Sequence, residues 1–186
     1  MDPSTADRLA RAAALWQHTG ARRPPFALPV GPGQESVWDY PRPPRLVPDG
    51  REVTVRAGGL VLARSQRALR LLETASPPGF YLPAQDVRTD CLVPAGGASH
   101  CEWKGQAAYW SVRLPDGGLL ERVAWSYPRP LAPYEALAGH FGFYPQALDC
   151  QVDGVRVQPQ PGGFYAGWIT PEVVGPFKGG SGSGGW

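Results

Sequence analysis

His100-Cys101-Glu102-Trp103-Lys104-Gly105-Gln106-Ala107-Ala108-Tyr109-Trp110-Ser111-Val112 gathers an imidazole, a thiol, a carboxylate, an amine, a phenol and two indoles in one short span. Aromatic and β-branched residues flank Lys104-Gly105-Gln106, a pattern that predicts two strands joined by a tight hairpin. Strand side chains alternate between faces, so His100, Glu102 and Lys104 share one side, Cys101 and Trp103 the other. A two-residue Gly105-Gln106 loop pairs Glu102 with Tyr109 and Cys101 with Trp110. It predicts a core face of Cys101, Trp103, Ala108, Trp110 and Val112, and a chemically mixed face of His100, Glu102, Lys104, Tyr109 and Ser111. A three-residue loop flips one strand relative to the other, because the side-chain period is two.

Strand signals continue outward from this hairpin. Val53 to Arg56 and Leu60 to Ala63 alternate around Ala57-Gly58-Gly59, and Asp116-Gly117-Gly118 and Asp153-Gly154 mark two further turns. Phe80-Tyr81-Leu82, Val87 to Val93, Leu119 to Tyr127, Phe143-Tyr144 and Leu148 to Val157 supply the remaining strands. Ser65 is placed to cap a helix of about ten residues, with Ala68, Leu71, Leu72 and Ala75 buried, until Pro77-Pro78 stops it. Glu73 then falls in the last helical turn, where the helix dipole disfavours a negative charge, which singles it out. Pro133 suits the start of a short helix carrying Leu137 and Phe141. Trp38 and Trp125 each begin a Trp-x-Tyr-Pro-Arg-Pro run, in which aromatics supply core surface and proline ends a strand.

The 186 residues divide by composition. Residues 1–22 form an arm with a helix from Ser4 or Thr5 to about Gln17. Residues 23–34 are a Pro-rich linker, 35–158 the domain, and 159–186 a Gly-rich extension. After Lys178 the chain is expected to be disordered or pinned only by Trp186. Charged residues are only 18%, with net charge +2, so no basic stripe marks a nucleic-acid or membrane-surface binder. There is no apolar run of about 18 residues to span a bilayer and no apolar signal core at the N-terminus. Three cysteines, Cys91, Cys101 and Cys150, lack CxxC spacing, so no metal, no cofactor and a reducing, cytoplasmic setting are expected. Leu9 and Trp16 give the arm an apolar stripe on which a homo-oligomer could be built.

The stretch His-Cys-x-Trp-Lys-Gly-x-Ala-x-Tyr-Trp resembles the signature of domain-of-unknown-function family 427, once filed under a nucleotidyltransferase-like label. Ala68 to Thr74 with Pro77 to Pro83, Ala124 to Pro128, and Gly142 to Pro145 resemble further family blocks, in family order. The resemblance implies a β-tent, two antiparallel sheets meeting at an angle, with two or three short helices in a mainly β (α+β) domain. Relatives hold ligands where the sheets meet. The structural zinc common in related tents does not carry over, because the paired CxxC motifs are absent.

The chemistry points to a binding surface. Glu73, Tyr81, Asp86, His100, Lys104, Tyr109, Trp125 and Tyr127 supply aromatic walls and polar anchors suited to a small-molecule pocket, with Lys104 for an anionic group. Two alternatives stand beside it: an enzyme using Cys101 or the Glu73/Lys104 pair, with catalytic residues unassigned, and a non-catalytic oligomerisation or interaction module built through the arm and tail. No GxxxxGK[ST] loop supports phosphate chemistry.

Overall fold

The computed structural model describes residues 16–186, and the expected arm helix, apart from Trp16 and Gln17, lies outside them. The chain runs through β1 (Glu35–Ser36), β2 (Arg45–Asp49), β3 (Val53–Ala57), β4 (Leu60–Ser65), β5 (Ala68–Leu72) and β6 (Gly79–Pro83). The long central hairpin follows as β7 (Leu92–Cys101) and β8 (Gly105–Arg113), then β9 (Leu119–Ser126), β10 (His140–Phe143), β11 (Asp149–Val152) and β12 (Val155–Arg156). Three two-residue strands close the chain, β13 (Gln158–Pro159), β14 (Trp168–Ile169) and β15 (Val173–Val174). Among the described residues helices are confined to short 3-10 turns, such as Ala84–Asp86 and Glu135–Leu137. The protein is mainly β. None of its helices among the described residues is long and apolar enough to cross a membrane.

One sheet has seven strands in the order β2-β5-β6-β10-β9-β8-β7, and a second has four in the order β12-β11-β3-β4. Both are antiparallel throughout. Two-stranded sheets join β13 to β14 and, in parallel, β1 to β15. Alternation along β6 builds two cores from one strand. Phe80 and Leu82 enter a core shared with Val53, Val55 and Leu62 of the four-stranded sheet, while Tyr81 joins an aromatic cluster with Trp103, Trp125 and Tyr127.

The expected helix from Ser65 is overturned. Ala68–Leu72 is β5, paired with β2 on one side and with β6 on the other, Leu69 opposite Tyr81. Leu71 and Leu72 point into different clusters, so both faces of the segment are buried. A doubly buried strand reads as a continuous apolar run that cannot be told from a helix by periodicity. Glu73 therefore follows a strand, and the dipole argument for it does not hold. The expected helix at Pro133 is likewise reduced to one 3-10 turn, with Phe141 in β10.

The central hairpin turns through three residues, Glu102-Trp103-Lys104, with Cys101 paired to Gly105 and His100 to Gln106. This replaces the two-residue register and exchanges one set of faces. Cys101 and Trp103 now lie with Ala107 and Tyr109 in the aromatic cluster, while Trp110 and Val112 pack into the inter-sheet core.

The C-terminal segment is tied in by specific groups. Trp168 is fully buried and stacks on Phe80 with centroids 4.9 Å apart. Beyond Lys178, Trp186 stacks on Phe26 at 5.2 Å, and the Ser183 hydroxyl, also buried, accepts a bond from the Gly179 N–H. Arg51 bridges Asp49, at 2.6 Å, and Glu172 just before β15. Burial opposes ionisation of Asp49 and Glu172, but Arg51 bonds both and holds their carboxyls below the ordinary range. A depressed native pKa stabilises the fold fully above the unfolded value, about 4, and that contribution disappears as pH falls through the native one. Thermal unfolding of the wild type should therefore weaken on acidification below pH ~4 more steeply than that of Arg51→Met, which starts lower at neutral pH. Parallel curves would show that this network contributes nothing.

Candidate functional site

A cleft of about 880 Å³ opens beside the aromatic cluster, on the side of β6 away from the inter-sheet core. Its aromatic side is assembled from several strands. Tyr81 comes from β6, Tyr109 from β8, Trp125 from β9, and Tyr127 from just beyond β9. Alternation of β-strand side chains puts Tyr81 and Trp125 on one side, their rings edge-on at 5.9 Å. Tyr127 lies 6.3 Å from Tyr81, and Tyr144 lies 4.8 Å from Trp125, so the rings form a continuous wall. Trp125 can lie flat against β10 because its register partner is Gly142; a Cβ there would meet the indole at 2.3 Å.

The hairpin turn delivers the charged group. Lys104 is only 7% exposed, although lysine is almost never buried without a partner. Its ammonium lies 5.5 Å from the centre of the Tyr127 ring, a cation–π contact. Glu73 does not pair with it: the Glu73 carboxylate lies 3.6 Å from Arg42. Among the described residues no carboxylate comes within ion-pair range of Lys104. Burial works against the Lys104 ammonium, and the Tyr81, Cys101 and Glu73 groups around it outweigh that cost, so the amine titrates above the ordinary lysine range. The amine is therefore a cation at neutral pH.

Burial raises the phenols of Tyr81 and Tyr127 above the usual tyrosine range, so both keep their protons at neutral pH. Tyr144 is pushed up to about 12 by burial and by its neighbour Tyr109. Tyr109 itself exchanges a 2.7 Å hydrogen bond with Ser99, and the Arg122 guanidinium covers its ring at 4.2 Å.

Seven of the eight residues singled out from the sequence line this cleft: Glu73, Tyr81, His100, Lys104, Tyr109, Trp125 and Tyr127. Asp86 does not. It sits in the 3-10 turn after β6, where the Ser65 hydroxyl and the Arg67 guanidinium donate to its carboxylate at 2.7 and 2.6 Å. That bonding explains the residue without a ligand.

Sequence reasoning missed one wall altogether. Gln160, Phe164, Tyr165, Gly167 and Lys178, all from the Gly-rich extension, line the same cleft. Gln146 donates to the Tyr165 carbonyl at 2.8 Å and Gln160 to that of Lys178 at 2.8 Å, which fixes the segment over the opening. Lys178 lies 5.6 Å from the Tyr165 ring centre, and burial lowers its pKa. The signal available was Phe164-Tyr165, an aromatic pair in a run otherwise reading as linker. Among the described residues no group of three or more His, Cys, Asp or Glu side chains is placed to hold a metal ion.

No curated protein matches the chain. A family model matches residues 45–157, the span holding both large sheets and the hairpin stretch, and the chain therefore belongs to the family described as Domain of unknown function (DUF427).

Proposed function

We propose that this is a β-tent domain that binds a small polar or anionic molecule in the cleft between the aromatic wall and the C-terminal segment. The seven- and four-stranded sheets, which share one core, are the two sides of the tent. The observation that carries the reading is Lys104. Folding places an ammonium in a nearly dry, aromatic-lined position without an opposing carboxylate among the described residues, and a buried charge is ordinarily paired or neutralised. A ligand acceptor at that point supplies the missing partner. The aromatic rings provide area and the phenols direct hydrogen bonds, the usual division of labour in a small-molecule site.

A thermal-shift screen of metabolites tests this. Acidic compounds should raise the melting temperature of the wild type and leave that of Lys104→Met unchanged, with circular dichroism showing that the variant folds. A stabiliser acting equally on both proteins would place binding elsewhere.

A further inference from the structure

The cleft also constrains the chemical class of its ligand, on the premise that it binds one. The Lys104 ammonium and the Tyr81 and Tyr127 side chains meet at one end, the ammonium over the Tyr127 ring and the two phenol rings 6.3 Å apart. Among the described residues no carboxylate is in ion-pair range of that ammonium. Tyr81 is 3% exposed and Tyr127 6%. A cation largely removed from water and facing no carboxylate is costly, and an anion at that point offsets the cost. With two phenols beside it, the position forms a cradle for one anionic group with more than one oxygen.

The balance of charge favours a single negative charge. The cradle holds one cation and two neutral phenols; the cleft's other cations, Arg122 and Lys178, lie over the Tyr109 and Tyr165 rings. The Glu73 carboxylate lines the same cleft with Arg42 already committed to it. A phosphate dianion would leave its second charge uncompensated near Glu73 in a poorly hydrated site. A planar carboxylate, with two oxygens for three donors, fits the inventory better.

The wall beyond the cradle fixes the other half of the ligand. From Lys104 the rings run Tyr127, Tyr81, Trp125, Tyr144, with successive centres 6.3, 5.9 and 4.8 Å apart. Tyr81 and Trp125 meet at 86° and Trp125 and Tyr144 at 59°, so these neighbours pack by edges rather than stacking face on face. An anion held at Lys104 must extend its body along this wall. We propose that the site takes an aromatic monocarboxylate, its carboxylate on Lys104, Tyr81 and Tyr127 and its ring system against Tyr81 and Trp125.

Calorimetric titration of the full chain with matched probes decides this. Expected is saturable binding of 2-naphthoate or indole-3-carboxylate, with 2-naphthamide and acetate each weaker by about tenfold or more, as loss of a charge-assisted bond or of the apolar body predicts. Lys104→Met should lower 2-naphthoate affinity to that of the amide, and Tyr127→Phe should lower it while the protein stays folded. Tighter binding of 2-naphthyl phosphate or of aliphatic acids, abolished in Lys104→Met, would overturn the aromatic-monocarboxylate class while leaving an anion site at Lys104 intact. Failure of both aromatic carboxylates to bind overturns the class as well. Equal binding of every probe to wild type and Lys104→Met would overturn the ligand-binding reading of the cleft too.

Discussion

Trp168→Ala should destabilise the protein by about 3–5 kcal/mol in denaturant unfolding, the range for removing a large buried aromatic. Trp168 has no exposed surface and stacks on Phe80, and its indole N–H donates to the Phe143 carbonyl at 3.1 Å. Its backbone N–H donates to the Pro78 carbonyl at 2.9 Å, clamping the extension onto the segment before β6. Trp168→Phe keeps the stack and loses the indole donor, so a loss of about 1–3 kcal/mol is expected for it. The effect should reach the cleft, because the neighbouring Gly167 approaches so closely that a Cβ there would meet Gln160 at 2.4 Å and the Pro77 carbonyl at 2.7 Å. A Trp168→Ala protein within 1 kcal/mol of wild type, on that ~3–5 kcal/mol scale, would show that the extension is a loose appendage.

Gly142→Ala should act on the site through a single methyl group. The added carbon would lie 2.3 Å from the Trp125 indole, and backbone in the middle of β10 cannot retreat without breaking its pairing with β9. The indole must therefore swing away from the wall it shares with Tyr81 and Tyr144. Overpacking of this kind costs about 1–3 kcal/mol. Altered tryptophan emission and loss of ligand-induced stabilisation should accompany it. Gly50→Ala is the control: a Cβ there meets nothing within 4 Å, so a change under about 0.5 kcal/mol is expected.

What the sequence made legible follows from how local each signal is. The hairpins at Gly58-Gly59, Asp116 to Gly118 and Asp153-Gly154 were readable because their turns need residues that tolerate positive φ; Asp153 sits at φ 48° and Gly154 at 77°. The mainly β, antiparallel class followed from them. The Ser65 helix failed because Leu71 and Leu72 are both buried, one on each side of β5, and burial on both faces erases the alternation that identifies a strand. The hairpin register failed at Gly105. A glycine before a polar residue looks like a turn, yet Gly105 opens β8 at φ 91°, where a Cβ would press on Leu131 at 3.1 Å. Any side chain there would be strained by that φ and crowded by Leu131. Asp86 reads in the sequence as one more polar anchor, and only the fold reveals that Ser65 and Arg67 bind it. The wall contributed by Tyr165 and Lys178 was hidden by composition, since glycine-rich sequence resembles linker wherever long-range contacts fix it.

The most direct test of a ligand site at Lys104 is a crystal structure of the protein grown with the strongest acidic stabiliser from the thermal-shift screen. Ligand density should fill the cleft between Tyr81, Trp125 and the Tyr165 segment, with an anionic oxygen about 3 Å from the Lys104 ammonium. Density for that compound elsewhere on the molecule, with Lys104 contacting only protein groups, would contradict the account.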